Sequence, residues 1–228
     1  MPSPRGAMSA RLRPPPATGE RRRRQRRGRP PRAVAVALTS QIVEAAMRCF
    51  LDDGYAATSL ERVAALAGVS KRTLYARFRD KPALFGAAVA ALIERWRARY
   101  PEPAAIARDL ASALDAAGAQ MQEAGLSPDG LALFRLLVAE GPRVPNLPGI
   151  LDAAGAGVGV ERVAALLTEH GVAEPMVLAE QFKRLAITEP QMRALGLGAP
   201  MDAPARAICL RRAVTTILAA ADARQPGA

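Results

Sequence analysis

The chain has 228 residues, half of them hydrophobic, and a formal net charge of +11. This length and apolar content allow one or two domains with a buried core and exclude a disordered polar tract. Aromatic residues make up only 4% of the chain, and the alanine-rich remainder favours helices over a large sheet. With one histidine and two distant cysteines, histidine catalysis and metal sites are not expected. We therefore expect an all-α protein that is not an enzyme and that uses no cofactor and no metal.

The positive charge is concentrated at the N-terminus. Residues 1–32 contain eleven arginines and one acid, whereas residues 33–228 contain 21 basic and 20 acidic residues. A basic segment on a nearly neutral body is typical of a protein that binds a polyanion, either nucleic acid or an anionic membrane surface. Residues 1–35 are rich in arginine and proline and poor in large apolar side chains. We predict that they form a disordered tail.

A short motif in this tail has two interpretations. Arg27 and Arg29 flank Gly28 and precede Pro30, as in an AT-hook, whose arginines lie along a narrow A·T minor groove. The alternative is a cationic arm that binds phosphates without reading groove shape. Both raise affinity for DNA. No stretch approaches the roughly 20 apolar residues of a membrane span, so we expect no membrane association and a cytoplasmic, nucleoid-associated protein.

Apolar residues recur with helical spacing from Leu38 onwards, and proline and glycine separate the periodic segments. An alternating strand pattern of useful length is absent from the sequence. The long stretch 190–202 contains glycine and proline and is predicted as a loop. The spacing predicts about nine helices, at 38–53, 60–67, 71–78, 81–100, 104–124, 129–140, 146–169, 174–188 and 203–223.

Residues 59–78 have the pattern of a helix-turn-helix. Ser59 and Ser70 are placed to cap two short helices, and Gly68 permits the sharp turn between them. In the second helix Leu74 and Phe78, four residues apart, are expected to face inward, while basic and hydroxyl side chains face outward. A recognition helix in a DNA major groove needs this division. The alternative is an ordinary helical hairpin with a solvated basic face.

The wider stretch 41–85 resembles the DNA-binding domain of the tetracycline-repressor (TetR) family of bacterial regulators. It departs from the family pattern at Lys71 and Arg72, where many relatives have small residues, and at Arg77, where a histidine is common. Residues 133–147 resemble the start of the AefR-like regulatory domain of some TetR-family members. The elements that match the DNA-binding domain are Asp53-Gly54-Tyr55, Thr58-Ser59, Ala67-Gly68-Val69-Ser70, Thr73-Leu74-Tyr75, Phe78 and Lys81.

The resemblance implies a DNA-binding domain over 36–96 and an effector-binding and dimerisation domain over 97–228. Thr58 and Ser59 would cap the second helix and touch a phosphate, and Lys81 would clamp a phosphate at the start of the fourth helix. Tyr75 would reach the DNA backbone through its hydroxyl. The full set of expected DNA-binding residues is Thr58, Ser59, Ser70, Lys71, Arg72, Thr73, Tyr75, Arg77 and Lys81, together with Arg27 and Arg29 of the tail.

The resemblance also implies a sequence-specific regulator, a repressor that binds a double-stranded palindromic operator as a homodimer and responds to a small-molecule effector. We predict that the apolar faces of helices 174–188 and 203–223 form the dimer interface, through Leu178, Phe182, Leu185, Ile208, Val214, Ile217 and Leu218. The alternative is a non-specific architectural DNA-binding protein driven by the arginine arm. Candidate residues for the effector pocket are Trp96, Tyr100, Met121, Phe134, Leu137, Met176 and Phe182.

Overall fold

The computed structural model describes residues 32–99 and 109–222, a range that holds helices and no strand. Arg27, Arg29, Tyr100 and the tail as far as residue 31 lie outside the described residues. The predicted all-α class is confirmed, with an N-terminal helix-turn-helix domain and a larger C-terminal helical domain. The helices are α1 (Arg32–Asp53), α2 (Leu60–Leu66), α3 (Lys71–Tyr75), α4 (Lys81–Arg99), α5 (Leu110–Leu126), α6 (Pro128–Glu140), α7 (Leu147–Ala153), α8 (Val158–Glu169), α9 (Pro175–Lys183), α10 (Glu189–Ala194) and α11 (Ala203–Asp222).

Several helix bounds differ from the predicted ones. Helix α1 begins at Arg32 rather than Leu38, so residues 32–35, which were predicted to belong to the disordered tail, are helical. The sequence did not reveal these first turns because Val34 and Val36 are exposed and the turns lack an amphipathic pattern. The predicted helix 146–169 is divided into α7 and α8 by a turn in which Gly155 has φ +75°, a conformation that favours glycine. The predicted loop 190–202 begins inside α10, which continues directly from a π-helical segment over Arg184–Thr188.

By length and composition alone, α1 is also apolar enough to cross a membrane, since a window within Ala33–Asp53 has a mean hydropathy of 1.5. The expectation that no stretch approaches a membrane span is therefore wrong for this helix. The hydropathy has a structural cause in the C-terminal half of α1. Ile42, Ala46 and Phe50 are completely or almost completely buried there, in the core of the N-terminal helix-turn-helix region.

That core is built around three aromatic rings. Phe50, Tyr55 and Phe85 lie with their ring centroids 5.1–5.8 Å apart, in one stacked and two edge-to-face contacts. Side chains of α6, including Leu133 and Leu136, join the same hydrophobic cluster. The helix-turn-helix region and α6 therefore share one core.

A second core lies among α5, α8, α9 and α11. Helices α5 and α11 approach each other closely at Gly118, because a Cβ at this position would overlap Leu210. The predicted interface residues Leu178, Phe182, Val214 and Ile217 are buried in this core. The protomer covers them itself, so their assignment to a dimer interface is wrong. Leu185 and Ile208, 42% and 43% exposed, remain on the surface, while Leu218 packs partly buried against the core.

Candidate nucleic-acid interface and internal cavity

Two serines cap the N-termini of the two helices in the helix-turn-helix. Ser59 accepts a hydrogen bond from the Arg62 N–H (3.1 Å) at the start of α2, and Ser70 accepts one from the Thr73 N–H (3.1 Å) at the start of α3. Both predicted N-caps are confirmed. Between them Gly68 has φ +62°, as a tight turn of this kind requires. The Gln41 side chain donates to the Ala67 carbonyl (3.0 Å), which fixes the turn against α1.

The second helix of this motif, α3, has one buried and one exposed face. Leu74 is fully buried and Phe78, just after the helix, is nearly so, as the spacing predicts. Lys71, Arg72 and Tyr75 are exposed, and the Lys71 ammonium lies 3.2 Å from the Glu61 carboxylate of α2. This outer face can present cations and hydroxyl groups to a groove. Its contacts with DNA remain a prediction.

Thr58 is not part of that outer face. Its side chain is 2% exposed, and its hydroxyl lies within hydrogen-bonding distance of the carbonyls of Gly54 (2.7 Å) and Cys49 (3.0 Å). Its backbone N–H donates to the Gly54 carbonyl (3.3 Å). The expected phosphate contact of Thr58 is wrong, because both of its donors are used to close the end of α1. The cap of α2 belongs to Ser59 alone.

Arg77 also makes contacts inside the protein. Its guanidinium donates to the Thr39 hydroxyl of α1 (3.3 Å) and to the Thr73 carbonyl (3.2 Å), and its side chain is half-buried. These bonds tie the end of α3 to α1. Arg77 therefore orients the recognition helix, and its contact with DNA stays a prediction.

The loop between α1 and α2 is held from two sides. The Lys81 ammonium of α4 donates to the Ala56 carbonyl (3.0 Å) and lies 4.6 Å from the centre of the Tyr55 ring. On the other side the Glu140 carboxylate, at the end of α6, accepts the Ala56 N–H (2.6 Å). Burial lowers the pKa of Lys81, and the charge of Glu140 opposes this shift. Lys81 therefore holds this loop in place, and its contact with a DNA phosphate remains a prediction.

Gly54 allows the close approach of Glu140. Its φ is +88°, and a Cβ at this position would overlap the Glu140 carboxylate. Glycine avoids both the steric cost of a positive φ and this overlap. The end of α6 therefore docks directly on the DNA-binding region.

A cavity of about 500 Å³ lies between α4, α5, α6, α8 and the π-helical segment, within the usual size range of small-molecule sites. Of the residues predicted to line a pocket, Trp96, Met121, Phe134 and Leu137 do so. Phe182 does not, because it is fully buried in the second core, and Met176 does not, because it is exposed on α9. For both, helical spacing alone did not show which space the side chain faces.

The cavity also has charged lining residues that were not predicted from the sequence. Arg97 of α4, Arg162 of α8 and Lys183 of α9 contribute to its wall. Charged residues on helices are normally assigned to the solvated face, and nothing in the local sequence distinguishes these three.

The fold and these sites define a class: a regulator with a small helix-turn-helix domain joined to a helical domain that helps to line a cavity. Two family profiles match the chain. Residues 42–88 match the bacterial regulatory proteins of the tetR family, and residues 112–221 match the C-terminal domain of AefR-like transcriptional repressors. The chain therefore belongs to the TetR family of transcriptional regulators.

Several solved structures are similar to this one. The Flavonoid-responsive Regulator FrrA is 27% identical with a TM-score of 0.68, covering 85% of this chain and 100% of that chain. A protein from Mesorhizobium loti assigned to the TetR-family transcriptional regulators is 24% identical (TM-score 0.66; coverage 82% and 97%). A TetR transcriptional regulator from Agrobacterium tumefaciens is 20% identical (TM-score 0.61; coverage 82% and 98%). The last two likenesses concern the fold alone. Comparison with curated protein sequences found no match.

Proposed function

We propose that this protein is a sequence-specific DNA-binding repressor of the cytoplasm that has no catalytic activity. The observation that carries the proposal is the helix-turn-helix, in which α3 is held rigidly by Ser70, Leu74 and Arg77 while Lys71 and Arg72 remain on its outer face. Rigid presentation of such a face to the major groove is how this motif reads sequence.

We further propose that it acts as a homodimer on an operator with two-fold symmetry. Leu185 of the π-helical segment and Ile208 of α11 remain exposed and line one surface pocket. A two-fold contact buries the same patch of both subunits, so a single apolar patch is sufficient. The two recognition helices would then meet two half-sites on one face of the DNA.

The response to an effector would pass through α6. Leu133, Phe134 and Leu137 of this helix line the cavity. Its last residue, Glu140, holds the loop at Ala56 (2.6 Å). A ligand that prefers a different position of α6 would shift the population towards a conformation with lower operator affinity. Because FrrA is described as flavonoid-responsive, the likeness to FrrA supports a small-molecule effector for this chain.

At its other end, α6 is connected to the DNA-binding region by two ion pairs that share one arginine. Asp129, in the first turn of α6, lies 3.2 Å from Arg95 of α4, which also pairs with Glu44 of α1 (3.3 Å). Both ends of the helix that lines the cavity therefore contact the DNA-binding region. This geometry supports a mechanical link between the two sites.

Selection of bound duplexes from a random pool tests the DNA-binding proposal. We expect a consensus with a dyad. Replacing both Lys71 and Arg72 by alanine should reduce the preference for this consensus over a scrambled duplex, because a good base contact discriminates by roughly 1–3 kcal/mol. Deletion of residues 1–31 should weaken binding to both duplexes and reduce the salt dependence.

Arg135→Ala on α6 serves as the control for loss of a positive charge away from the recognition helix. The proposal fails if selection returns no preferred sequence. It also fails if preference is lost with the tail and kept in the α3 variant, since the arginine arm would then be the determinant, as in an architectural protein.

The dimer is tested by light scattering at micromolar concentration. The wild-type chain should have the mass of a dimer, and Ile208→Glu should produce monomers because the new charges would be buried in an apolar interface. Leu66→Glu, which places the same charge on exposed α2, should remain dimeric. A wild-type monomer, or a dimeric Ile208→Glu variant, would refute this interface.

A further inference from the structure

The charge on the cavity wall is of one sign. Arg97, Arg162 and Lys183 come from three different helices, α4, α8 and α9, and converge on the same space. Among the described residues that line the cavity there is neither aspartate nor glutamate. Residues 33–228 carry almost equal numbers of basic and acidic residues, so this bias does not follow from composition. The charged residues among the described lining of the cavity are therefore all basic.

The remaining lining is largely apolar. Trp96, Phe134 and Leu137 lie beside Met121 and Ile187. The π-helical segment Arg184–Thr188 supplies part of this wall, and π-helical turns are frequent at functional sites. A ligand that fills the cavity must therefore have an apolar body as well as a group that suits the cations.

Two of the cations have partners that a ligand could replace. Arg97 pairs with Glu94 (2.5 Å) and Lys183 with Glu180 (3.5 Å), each on its own helix and each solvent-exposed. Neither glutamate lines the cavity. Exposed pairs of this kind contribute little, because water screens them. An anion inside the cavity would interact in a lower dielectric and could compete for both cations.

Arg97 of α4 also lies next to the turn between α7 and α8. An atom at the Cβ position of Gly155 would lie 3.6 Å from the Arg97 guanidinium, so this group rests over the turn between α7 and α8. A larger residue would be strained at Gly155 because φ is +75°. The guanidinium thus lies between α4 and this turn, at the boundary of the cavity.

We propose that the effector is an amphipathic organic anion, whose apolar body lies against Trp96 and Phe134 and whose carboxylate, sulfonate or phenolate is held by Arg97 together with Arg162 and Lys183. This inference rests on the proposed effector response and names the chemical class of the ligand. Charge-assisted hydrogen bonds from arginine give such a site its selectivity for anions.

A matched pair of fluorescent probes tests the proposal with the full-length protein. Anilinonaphthalene sulfonate and N-phenylnaphthylamine share the same ring system, and only the first carries a negative charge. We expect the sulfonate to bind about tenfold or more tightly than the neutral amine, because one charge-assisted hydrogen bond accounts for a factor of that size. Equal or tighter binding of the neutral probe would overturn the proposal.

The site of binding can be read directly. Trp96 is the chain's one tryptophan and lines the cavity, so energy transfer from Trp96 to the bound sulfonate reports occupancy next to it. Excess dodecanol, which is neutral and has no chromophore, should displace the sulfonate and abolish the transfer. Sulfonate bound to the arginine-rich tail would not be displaced by a neutral competitor, and that result would count against the cavity.

Charge-neutralising variants identify the cations. Arg97→Gln should weaken sulfonate binding about tenfold and leave the neutral probe within about twofold, with Arg162→Gln and Lys183→Gln acting in the same direction. Arg135→Gln, exposed on α6 outside the cavity, is the matched control and should change neither. If Arg97→Gln weakens both probes equally, the residue shapes the cavity without selecting anions, and the proposal is wrong.

A separate arm distinguishes failure of the ligand class from failure of the proposed function. Dodecanoate and dodecanol are compared for displacement of the sulfonate and for release of a selected operator duplex. Preferential displacement by dodecanoate supports the anion site whatever happens to the DNA. If the operator is not released, the effector response is refuted while the ligand class stands. Release by dodecanol alone would refute the ligand class and keep the response.

Discussion

The two regions of this molecule use their large side chains in opposite ways. In the DNA-binding region Phe50, Tyr55 and Phe85 fill the centre of the core with ring centroids 5.1–5.8 Å apart. Behind it, Trp96 and Phe134 line a cavity of about 500 Å³. A filled core holds the recognition helix in one orientation, whereas an incompletely filled one can accept a ligand and change shape. We therefore expect the DNA-binding region to be rigid and the region around the cavity to change shape when a ligand binds.

The largest expected difference between the regions is in the cost of truncating an aromatic ring. Phe50→Ala should destabilise the protein by about 3–5 kcal/mol, because Phe50 is 1% exposed and its removal leaves a new cavity in a packed core. Phe134→Ala should cost clearly less, since Phe134 is half-buried and already borders empty space. Urea unfolding midpoints measure both. Equal losses would show that the two regions are packed alike.

The next effect concerns the junction between the regions. Gly54→Ala should cost roughly 1–2 kcal/mol for a positive φ plus the cost of displacing Glu140 from the loop. Gly68→Ala shares the positive φ, with no neighbouring atom within 4 Å of its Cβ position, and so isolates the backbone cost. In a Glu140→Ala background the excess cost of Gly54→Ala over Gly68→Ala should shrink to the difference in backbone cost between φ +88° and φ +62°. Persistence of the full excess would mean that Glu140 is not its cause.

The features that could be predicted from the sequence are those determined within a few residues. Ser59, Ser70, Gly68, Leu74 and Phe78 fall in the predicted roles because caps, turns and helix faces depend on neighbours three or four positions away. The motif of the DNA-binding region consists mostly of such short-range features. Its fold and family were therefore accessible before any contact was known.

The features that the sequence did not reveal depend on distant contacts. Arg77 bonds to Thr39, 38 residues away, and Thr58 to the carbonyl of Cys49, nine residues away. In the C-terminal region the periodicity predicted helical structure but missed the division of 146–169 and the helix Glu189–Ala194. It also could not show that Phe182 faces the protomer's own core or that Arg97 lines a cavity. The sequence of an apolar or charged helix face does not show which part of the protein the face contacts. That is determined by tertiary packing.

A third prediction concerns a serine N-cap that occurs in both regions. Ser70 caps α3 and Ser127 caps α6, each accepting a backbone N–H at 3.1 Å. Ser70→Ala and Ser127→Ala should each destabilise the protein by about 1 kcal/mol, and glycine at either position should cost only a few tenths. Only Ser70→Ala should also lower operator preference, because α3 is the recognition helix. Equal effects of both variants on operator binding would refute that distinction.

The smallest effect is a pH dependence common to both regions. Asp80 accepts the Ala83 N–H (2.8 Å) at the start of α4, and Asp109 accepts the Ser112 N–H (2.7 Å) at the start of α5. Hydrogen bonds to these backbone N–H groups lower the pKa of both carboxyl groups, with a smaller contribution from Arg79 at Asp80. Because the folded pKa lies below the ordinary value of 3.8, the stabilisation is present above about pH 4 and is lost as the pH falls through the folded pKa.

Substitution by asparagine separates the contribution of the capping hydrogen bond from that of the negative charge. Asparagine caps helices about as well as aspartate but does not titrate. Asp80→Asn and Asp109→Asn should each therefore unfold slightly more easily than the wild type at pH 7, where the charge also favours the positive end of the helix dipole. This deficit should shrink as the pH is lowered to 3, because only the wild-type carboxylate becomes protonated. Urea midpoints measured across this range, with Ser127→Gly as a control whose cap does not titrate, provide the comparison. Parallel curves for the wild type and Asp80→Asn would show that the charge of Asp80 contributes nothing to α4. A pH-dependent difference at Asp80 that is missing at Asp109 would place the effect in the neighbouring Arg79 instead of the cap.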